Sequence, residues 1–484
     1  MGVVTQRGET VRTFVDEILF QARMRPEQPA IALSDRLVTY AMFAQGVSSV
    51  EARLRALGLA SDELVAVAVT NQIRHLILVA ALFRIGQPSV STNHIEEVPD
   101  LRSGVRFCFQ DTHSAPKPGI TPIPIDDRWF RPQSPSPEAA KGFANWDAIC
   151  RVEVTSGSTG RPRAIASTVE EFEYRLAAQR VVETFGVCDR VLMLIGLTGG
   201  WGFRAAVRVL ASGGTLVYAD SLPSALPMAS AFRVDAVVAS TAHVRDLVRS
   251  SMRAPLSGAP LRALLLGGGL ATRALLAEAR ARLCAQTLVQ YGATESGPVA
   301  VTPADLLVEE GATGYPLPGV LIEIVDADDC SLPVGAPGVV RLRTPAMGRV
   351  FPRGADDGQP NLRGGWFYPG DRGRLSADGM LTLEGRTSEV INSGGVKRAP
   401  ELIEEIALRH PSVAEAAAFG ALGAGGIDEI CLAVVTRSAI DERQVIEWCG
   451  QRGVKVARVF LVDALPRTPL GKIMREDLKA RLVG

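Results

Sequence analysis

Val154-Thr155-Ser156-Gly157-Ser158-Thr159-Gly160-Arg161-Pro162-Arg163 reads as a loop made to hold an anion. Thr155, Ser156, Ser158 and Thr159 supply hydroxyls, and Gly157 and Gly160 leave the backbone N–H groups bare. Such donors can all turn toward one anion, with arginines completing the cradle. The spacing is not the G-x-x-x-x-G-K-[ST] of the P-loop.

Outward from this loop, strand and helix patterns take turns. Val11, Phe14, Ile18 and Leu19 stand at helical spacing within 10–24, and 41–57 repeats the pattern after Tyr40. Leu64–Val69 is a β-type run followed by a helical stretch over 73–85. A second series, from Val191 to about Val301, contains the strand-like runs 215–218, 236–239 and 263–266. This alternation predicts an α/β fold, parallel-rich sheets with covering helices. The segment 112–146, rich in Pro, Ser and Asp, reads as a long surface connection, and 310–385 as a smaller β-rich unit. The last hundred residues read as compact α+β: a helix over 400–409, strands near 414–419 and 430–436, a helix over 441–452 and a closing helix after Lys472.

The 484 residues carry 52 Lys+Arg against 52 Asp+Glu. That balance argues against a duplex nucleic-acid binder, which needs a clustered cationic excess. The seven cysteines are scattered and never form C-x-x-C, so a disulfide framework and a zinc site are both excluded and a reducing cytosol is expected. No signal peptide is legible at the amino terminus. The longest apolar run, Leu76 to Phe83, is far short of the roughly 20 residues of a membrane helix, so no membrane insertion and a cytoplasmic location are expected. Only six of the basic residues are lysines, Lys117, Lys141, Lys397, Lys455, Lys472 and Lys479. A lysine inside a motif is therefore a poor candidate for chance.

The 154–163 loop resembles the phosphate signature T-S-G-[ST]-T-G-x-P-K of the adenylate-forming superfamily: acyl-CoA synthetases, stand-alone adenylation domains and luciferases. Only the last position departs, Arg163 for lysine, which keeps the cation but exchanges a point charge for a planar fork. Further resemblances follow in order. Leu266-Gly267-Gly268-Gly269-Leu270 is similar to the glycine strand end that lies against adenine. Gln290-Tyr291-Gly292-Ala293-Thr294-Glu295 is similar to Y-G-x-T-E. That likeness implies Tyr291 on adenine, Thr294 at the α-phosphate and Glu295 as a ligand of Mg²⁺, a cation suited to carboxylate oxygen. Trp366 to Asp371 resembles W-[FY]-x-[ST]-G-D, with Tyr368 and Pro369 departing, and implies that Asp371 binds ribose. Gly385-Arg386-Thr387-Ser388-Glu389-Val390-Ile391 resembles G-R-x-x-[DE]-x-I, implying ribose and phosphate contacts for Arg386 and a hinge at Ser388. The stretch 392–400, with Gly395 and Lys397, resembles the loop that helps form a pantetheine tunnel. Leu465 to Ile473 resembles the closing signature that ends in the catalytic lysine, here Lys472.

The resemblance implies a large ATP- and acyl-binding domain over 1–386, a hinge over 387–389 and a small mobile α+β domain over 390–484. It implies ATP, Mg²⁺ and coenzyme A as cofactors and a small carboxylic acid as substrate. The acid attacks the α-phosphorus of ATP, giving an acyl-adenylate and pyrophosphate. Because two anions must meet, the demand is for charge neutralisation and positioning, by Lys472 and the 155–163 loop. Rotation about Ser388 then admits a thiol. Substrate choice falls to 198–208 and to the neighbourhood of Gly292 and Val299. There Gly199-Gly200-Trp201-Gly202-Phe203-Arg204 offers neither the aspartate of amino-acid enzymes nor the histidine common among fatty and aryl acid enzymes. Trp201 and Phe203 are expected to narrow the pocket. Arg204 is either a pocket residue for a second polar group of the acid or, as the more ordinary expectation, an exposed helix arginine. The acceptor is coenzyme A, a separate carrier protein or an amine, the enzyme a monomer or homodimer. A non-catalytic nucleotide-binding relative is the reading from a different class.

Overall fold

The computed structural model describes residues 11–93, 105–111, 119–132, 142–155, 163–180, 189–253, 255–256, 260–351, 361–387, 389, 391–393, 396–422, 428–467 and 473–483. Two large sheets form the body. In the first, the strands Thr287–Ala293, Ala263–Gly267, Ala236–Ser240, Arg190–Met193, Thr215–Val217 and Pro29–Ala32 run parallel, with antiparallel strands at both edges. In the second, Ile149–Thr155, Ser89–Ser91, Leu64–Ala68, Val105–Gln110 and Thr121–Pro124 run parallel, and Arg163–Thr168 returns antiparallel beside Ile149–Thr155. The anion loop of the sequence therefore joins a hairpin whose last pair is Thr155 with Arg163.

Side-chain parity shows why these runs are strands buried on both faces. Val65 and Val67 enter the core shared with the helices, while Leu64, Ala66 and Ala68 enter a second cluster on the other face. In the first sheet Val238 and Leu265 face the shared core, and Val237, Ala239, Leu264 and Leu266 face the helices Thr241–Arg253 and Arg273–Arg282. Phe14, Phe83, Phe172 and Phe203, one from each of four helices, meet between the sheets with centroids 4.8–6.1 Å apart. Such pairs add about 0.5–1.5 kcal/mol each beyond the area they bury.

A third, antiparallel sheet is built from residues 312–386, as the β-rich reading of 310–385 expects. The carboxyl-terminal unit has its own core, in which Ile403, Val413, Leu432, Val445 and Val459 are buried around the strands Val413–Leu422, Asp428–Thr436 and Val456–Leu461. The expected helices appear as Pro400–Leu408, Glu442–Gly450 and Arg475–Leu482. One expectation is corrected. Within 112–146, Thr121–Pro124 is not loop but the edge strand of the second sheet, with Ile123 and Ile125 buried. Pro122 and Pro124 disguise it, and only an edge strand tolerates them. No described helix is long and apolar enough to cross a membrane.

Glu173 packs against the first helix and accepts the Phe14 N–H at 2.8 Å. Burial pushes its carboxyl up to about 7 from 4.5, with Glu17 adding to the shift and the Phe14 N–H opposing it. The folded state thus holds this proton more tightly than the unfolded chain. The stability it confers is full below about pH 4.5 and is lost as pH rises through about 7. Glu173→Gln is expected to flatten that slope and raise the unfolding free energy near pH 8 by roughly 2–3 kcal/mol, measured by urea denaturation at a series of pH values.

Candidate active site

The carboxyl ends of the first sheet open into two confluent cavities of about 230 and 220 Å³, which share Ser240, Gly268, Gln290, Gly292 and Arg386 as walls. In the first, Tyr291 donates its hydroxyl to Asp371 Oδ2 at 2.6 Å, and Arg386 Nε meets Asp371 Oδ1 at 3.0 Å. Burial, then Asp371, keeps the Tyr291 phenol far above its usual pKa, so it stays a neutral donor. Asp371 raises Arg386 in turn. Arg386 Nη1 also holds the carbonyl of Pro369 at 3.0 Å, next to Gly370 at φ +84°, a turn that glycine adopts without strain. Gly268 and Gly269 line this cavity, as the glycine strand end is expected to. A side chain on Gly267 would lie 3.3 Å from the Trp201 ring and 2.7 Å from the Gln290 carbonyl, so the backbone there must be bare.

Thr294 and Glu295 line the second cavity together with Arg163. Their placement depends on a residue that the sequence reading passed over. Arg175, fully buried on the helix Val169–Arg180, donates to the carbonyls of Thr294 at 3.1 Å, Glu295 at 2.6 Å and Ala346 at 3.0 Å. Gly348 N–H closes on the Glu295 carbonyl at 2.7 Å. Burial first, then Arg204, lowers the Arg175 guanidinium to about 10, still cationic at neutral pH.

Trp201 and Arg204 also line the second cavity, as two of the three expected pocket residues. Phe203 does not. One helical step from Arg204 turns it by about 100°, into the aromatic core against Phe14 and Phe172. Arg204 corrects the ordinary expectation of an exposed helix arginine: it is 3% exposed and pairs with Glu153 Oε1 at 2.7 Å. The segment 199–204 lacks a carboxylate of its own, but Glu153 brings one across, so close that a side chain on Gly200 would meet it at 2.2 Å. Glu153 and Arg151, alternate residues of one strand and both buried, are the sequence signal that could have revealed this pair.

Ser156, Gly157, Ser158, Thr159, Gly160, Ser388, Gly395 and Lys472 lie outside the described residues, as do the side chains of Thr155 and Lys397. The neighbours of Lys472 are informative: Arg467 and Ile473 pair as a β-bridge and both line the first cavity. Beside them Arg475 donates to Glu389 at 2.7 Å, Glu401 at 3.1 Å and Glu404 at 2.8 Å. Burial works against its charge, but Glu404, Glu401 and Glu389 outweigh it and raise its pKa. Thr272 Oγ1 and Glu405 Oε2 meet at 3.1 Å across the two units. Among the described residues no cluster of His, Cys, Asp or Glu could hold a metal alone.

A nucleotide-sized cleft, lined by Val154 and Arg163 from the two strands that flank the hydroxyl-rich segment and by residues of a separate small unit, is the arrangement of the adenylate-forming enzymes. Residues 19–351 match the AMP-binding enzyme family and 402–472 its C-terminal domain, so the chain belongs to the AMP-binding enzyme family. It is similar to 2-succinylbenzoate–CoA ligase of Bacillus licheniformis, 26% identical over 95% of this chain and 98% of the relative. The fatty acid–[acyl-carrier-protein] ligase ScoC of Streptomyces coeruleorubidus is also 26% identical, over 98% and 97% of the two chains. O-succinylbenzoate coenzyme A synthetase of Bacillus subtilis, solved with ATP and magnesium ion, superposes with a TM-score of 0.79 at 26% identity over 96% of this chain and 99% of that one. With its acyl-adenylate intermediate the same enzyme gives 0.81 at 25% identity, covering 96% and 97%.

Replacing Arg475 by Met would leave Glu404 buried without its cation. The carboxyl-terminal unit is expected to lose roughly 3–5 kcal/mol. In guanidinium titration its transition should separate from that of the body and fall to lower denaturant.

Proposed function

We propose that this chain is an AMP-forming acid–thiol ligase, which joins a carboxylic acid to ATP as an acyl-adenylate, releases pyrophosphate and passes the acyl group to the thiol of coenzyme A. The observation that carries it is the convergence of Tyr291, Asp371, Arg386, Thr294 and Glu295 on one cleft, in a chain whose family match runs through both units. The two similar CoA ligases support coenzyme A as acceptor. The similar carrier-protein ligase supports a second reading, transfer to a free-standing carrier. We assign the body to 1–386, the hinge to 387–389 and the mobile domain to 390–484. Cytoplasmic residence and a monomeric or homodimeric state belong to the same reading.

Each chemical demand has a residue to meet it. Asp371 accepts the ribose hydroxyls and Tyr291 stacks on the base, its hydroxyl fixed by Asp371. Thr294, its carbonyl held by Arg175, offers its hydroxyl to the α-phosphate. Glu295 fits Mg²⁺ as a hard carboxylate ligand, with the nucleotide completing the set; the ion supplies charge neutralisation at the phosphates. The 155–163 loop and Arg163 hold the distal phosphates. Lys472 draws the acid's carboxylate to the α-phosphorus, and the cleft wall formed by its neighbours Arg467 and Ile473 supports that role. Once pyrophosphate leaves, rotation about Ser388 brings Gly395 and Lys397 toward the entering thiol. A domain exchange of this kind can set turnover.

Lys472→Ala is expected to lower acid-dependent ATP–pyrophosphate exchange by at least about 100-fold while sparing thiolysis of supplied acyl-adenylate. Exchange that survives the substitution would remove the lysine from this role. For the acceptor, AMP release in the presence of acid should rise with free coenzyme A at micromolar to millimolar concentration, a range in which most enzymes saturate. A rise only with a purified carrier protein would favour the second reading.

A further inference from the structure

The two units meet beside the cleft at Glu405, a residue that the proposed chemistry does not use. It lies on the helix Pro400–Leu408 with 16% of its side chain exposed, and its Oε2 accepts the Thr272 hydroxyl at 3.1 Å. Thr272, 1% exposed, caps the amino end of the helix Arg273–Arg282, where its oxygen already accepts the Leu275 N–H at 3.3 Å. The hydroxyl proton is therefore left for Glu405. A carboxylate at that place also meets the positive end of the body helix. Arg245, on the helix Thr241–Arg253, stands 3.6 Å from the same oxygen, and Arg409 stands 3.8 Å from the other. Both oxygens of Glu405 are thus held, one of them by the body.

The neighbouring residue carries this contact inward. Glu404, one helical step of about 100° away, accepts the Ala418 N–H at 2.9 Å and Arg475 at 2.8 Å. Arg475 opens the last helix two residues after Ile473, which lines the cleft next to Lys472. Two adjacent carboxylates of one helix therefore connect a body helix to the segment that carries the lysine. On the other side of Arg245 the units stand apart, around a cavity of about 630 Å³. Arg249 of the body and Arg437 of the small unit both line it, and burial, then repulsion from Arg437, lowers the Arg249 guanidinium. Ion pairs there stay within one unit, Arg249 with Asp246 at 3.6 Å and Arg467 with Glu415. That side of the interface holds space and facing guanidiniums, whereas the side at Glu405 holds direct contacts.

Resting on the ligase reading above, we infer that Glu405 is the positioning residue that seats the carboxyl-terminal unit on the body for adenylate formation, and that its parting from Thr272 and Arg245 frees the unit for transfer to the thiol. Glu405 acts through Glu404 and Arg475 on the segment of Lys472, not on the nucleotide. A single charged hydrogen bond biases two arrangements by roughly 10-fold or more, enough to favour one without trapping it. Its loss should therefore slow the first half-reaction and spare the second.

The test reads the seat directly. Spin labels on the exposed Cys330 of the body and on Glu447→Cys of the small unit, in a full chain carrying Cys188→Ser, give the distance between the units in the presence of Mg²⁺ and α,β-methylene-ATP. Glu405→Ala should move the populations by roughly 10-fold toward a second distance, and Glu405→Gln, which keeps an acceptor for Thr272 but loses the charge, by less. With hexanoate, benzoate and 2-succinylbenzoate offered as acids, Glu405→Ala should lower kcat of ATP–pyrophosphate exchange by the same factor and leave KM for ATP within about twofold. Coenzyme A-dependent AMP release from the supplied acyl-adenylates should not fall. A merely structural role would lower both half-reactions and the thermal midpoint together. The inference falls if the distances in Glu405→Ala match those of the unaltered residue, or if both half-reactions drop alike. The distance measurement needs no acid: a shift in a chain that forms pyrophosphate with no acid would overturn the ligase reading and leave the seat standing, and exchange without a shift would do the reverse.

Discussion

One buried guanidinium ties the site to the fold. Arg175 lies on a helix that follows the second sheet, yet its partners are the carbonyls of Thr294 and Glu295, at the end of a hairpin of the first sheet, and of Ala346, just after the third-sheet strand Gly338–Arg343. A charge with 1% exposure is costly unless its donors are filled, and here they are filled by backbone dipoles. Where the hairpin turns, Arg175 gives the Thr294 carbonyl a donor and joins the Gly348 N–H on that of Glu295. The arginine thus converts the packing of three sheets into a fixed position for Thr294 and Glu295. Gly297 completes the fit: a side chain there would lie 2.9 Å from Arg175 Cδ.

This constraint also marks the boundary of what could be read from the sequence. The alternating strands and helices were legible because a core buried on both faces of a sheet leaves uninterrupted apolar runs, as at Leu64–Ala68 and Ala236–Ser240. The meeting of Tyr291, Asp371 and Arg386 at one cavity was legible because they belong to strings that follow one another in a recognisable order. Arg175 was not, since in Glu-Glu-Phe-Glu-Tyr-Arg it looks like one more charge on a solvated helix. Its burial comes from partners 119 to 171 residues away. Glu153 and Arg204 escaped for the same reason, being 51 residues apart. Phe203 misled in the opposite way, because an aromatic beside a pocket residue need not share its face of the helix.

The small unit solves its own buried arginine differently. Arg475 is satisfied by Glu389, Glu401 and Glu404 rather than by carbonyls, which ties the last helix to the helix Pro400–Leu408 and to the residue after Ser388. A carboxylate-held cation leaves no net positive field behind. It therefore stiffens the segment on the far side of the proposed hinge without adding charge to the cleft.

These two solutions give the cleft a polarity. Around the cavity that holds Tyr291, Arg245, Arg386, Arg467 and Arg475 stand against Asp371, Glu389, Glu401 and Glu404, which cancel. Around its neighbour, Arg163, Arg204 and Arg386 face Glu295 alone, and behind the wall Arg151 and Arg175 stand with Glu153. Charges in a concave, poorly solvated site act over longer range than on an open surface. A nucleotide, neutral at its nucleoside and anionic at its phosphates, is then sorted end for end before any hydrogen bond forms. The same field draws in the carboxylate that must approach the α-phosphorus, against the repulsion of the phosphates themselves. The positive end is built by the amino-terminal body and the neutral end is shared with the carboxyl-terminal unit. The proposed rotation of that unit would therefore exchange the groups facing the adenylate without disturbing the field that holds it.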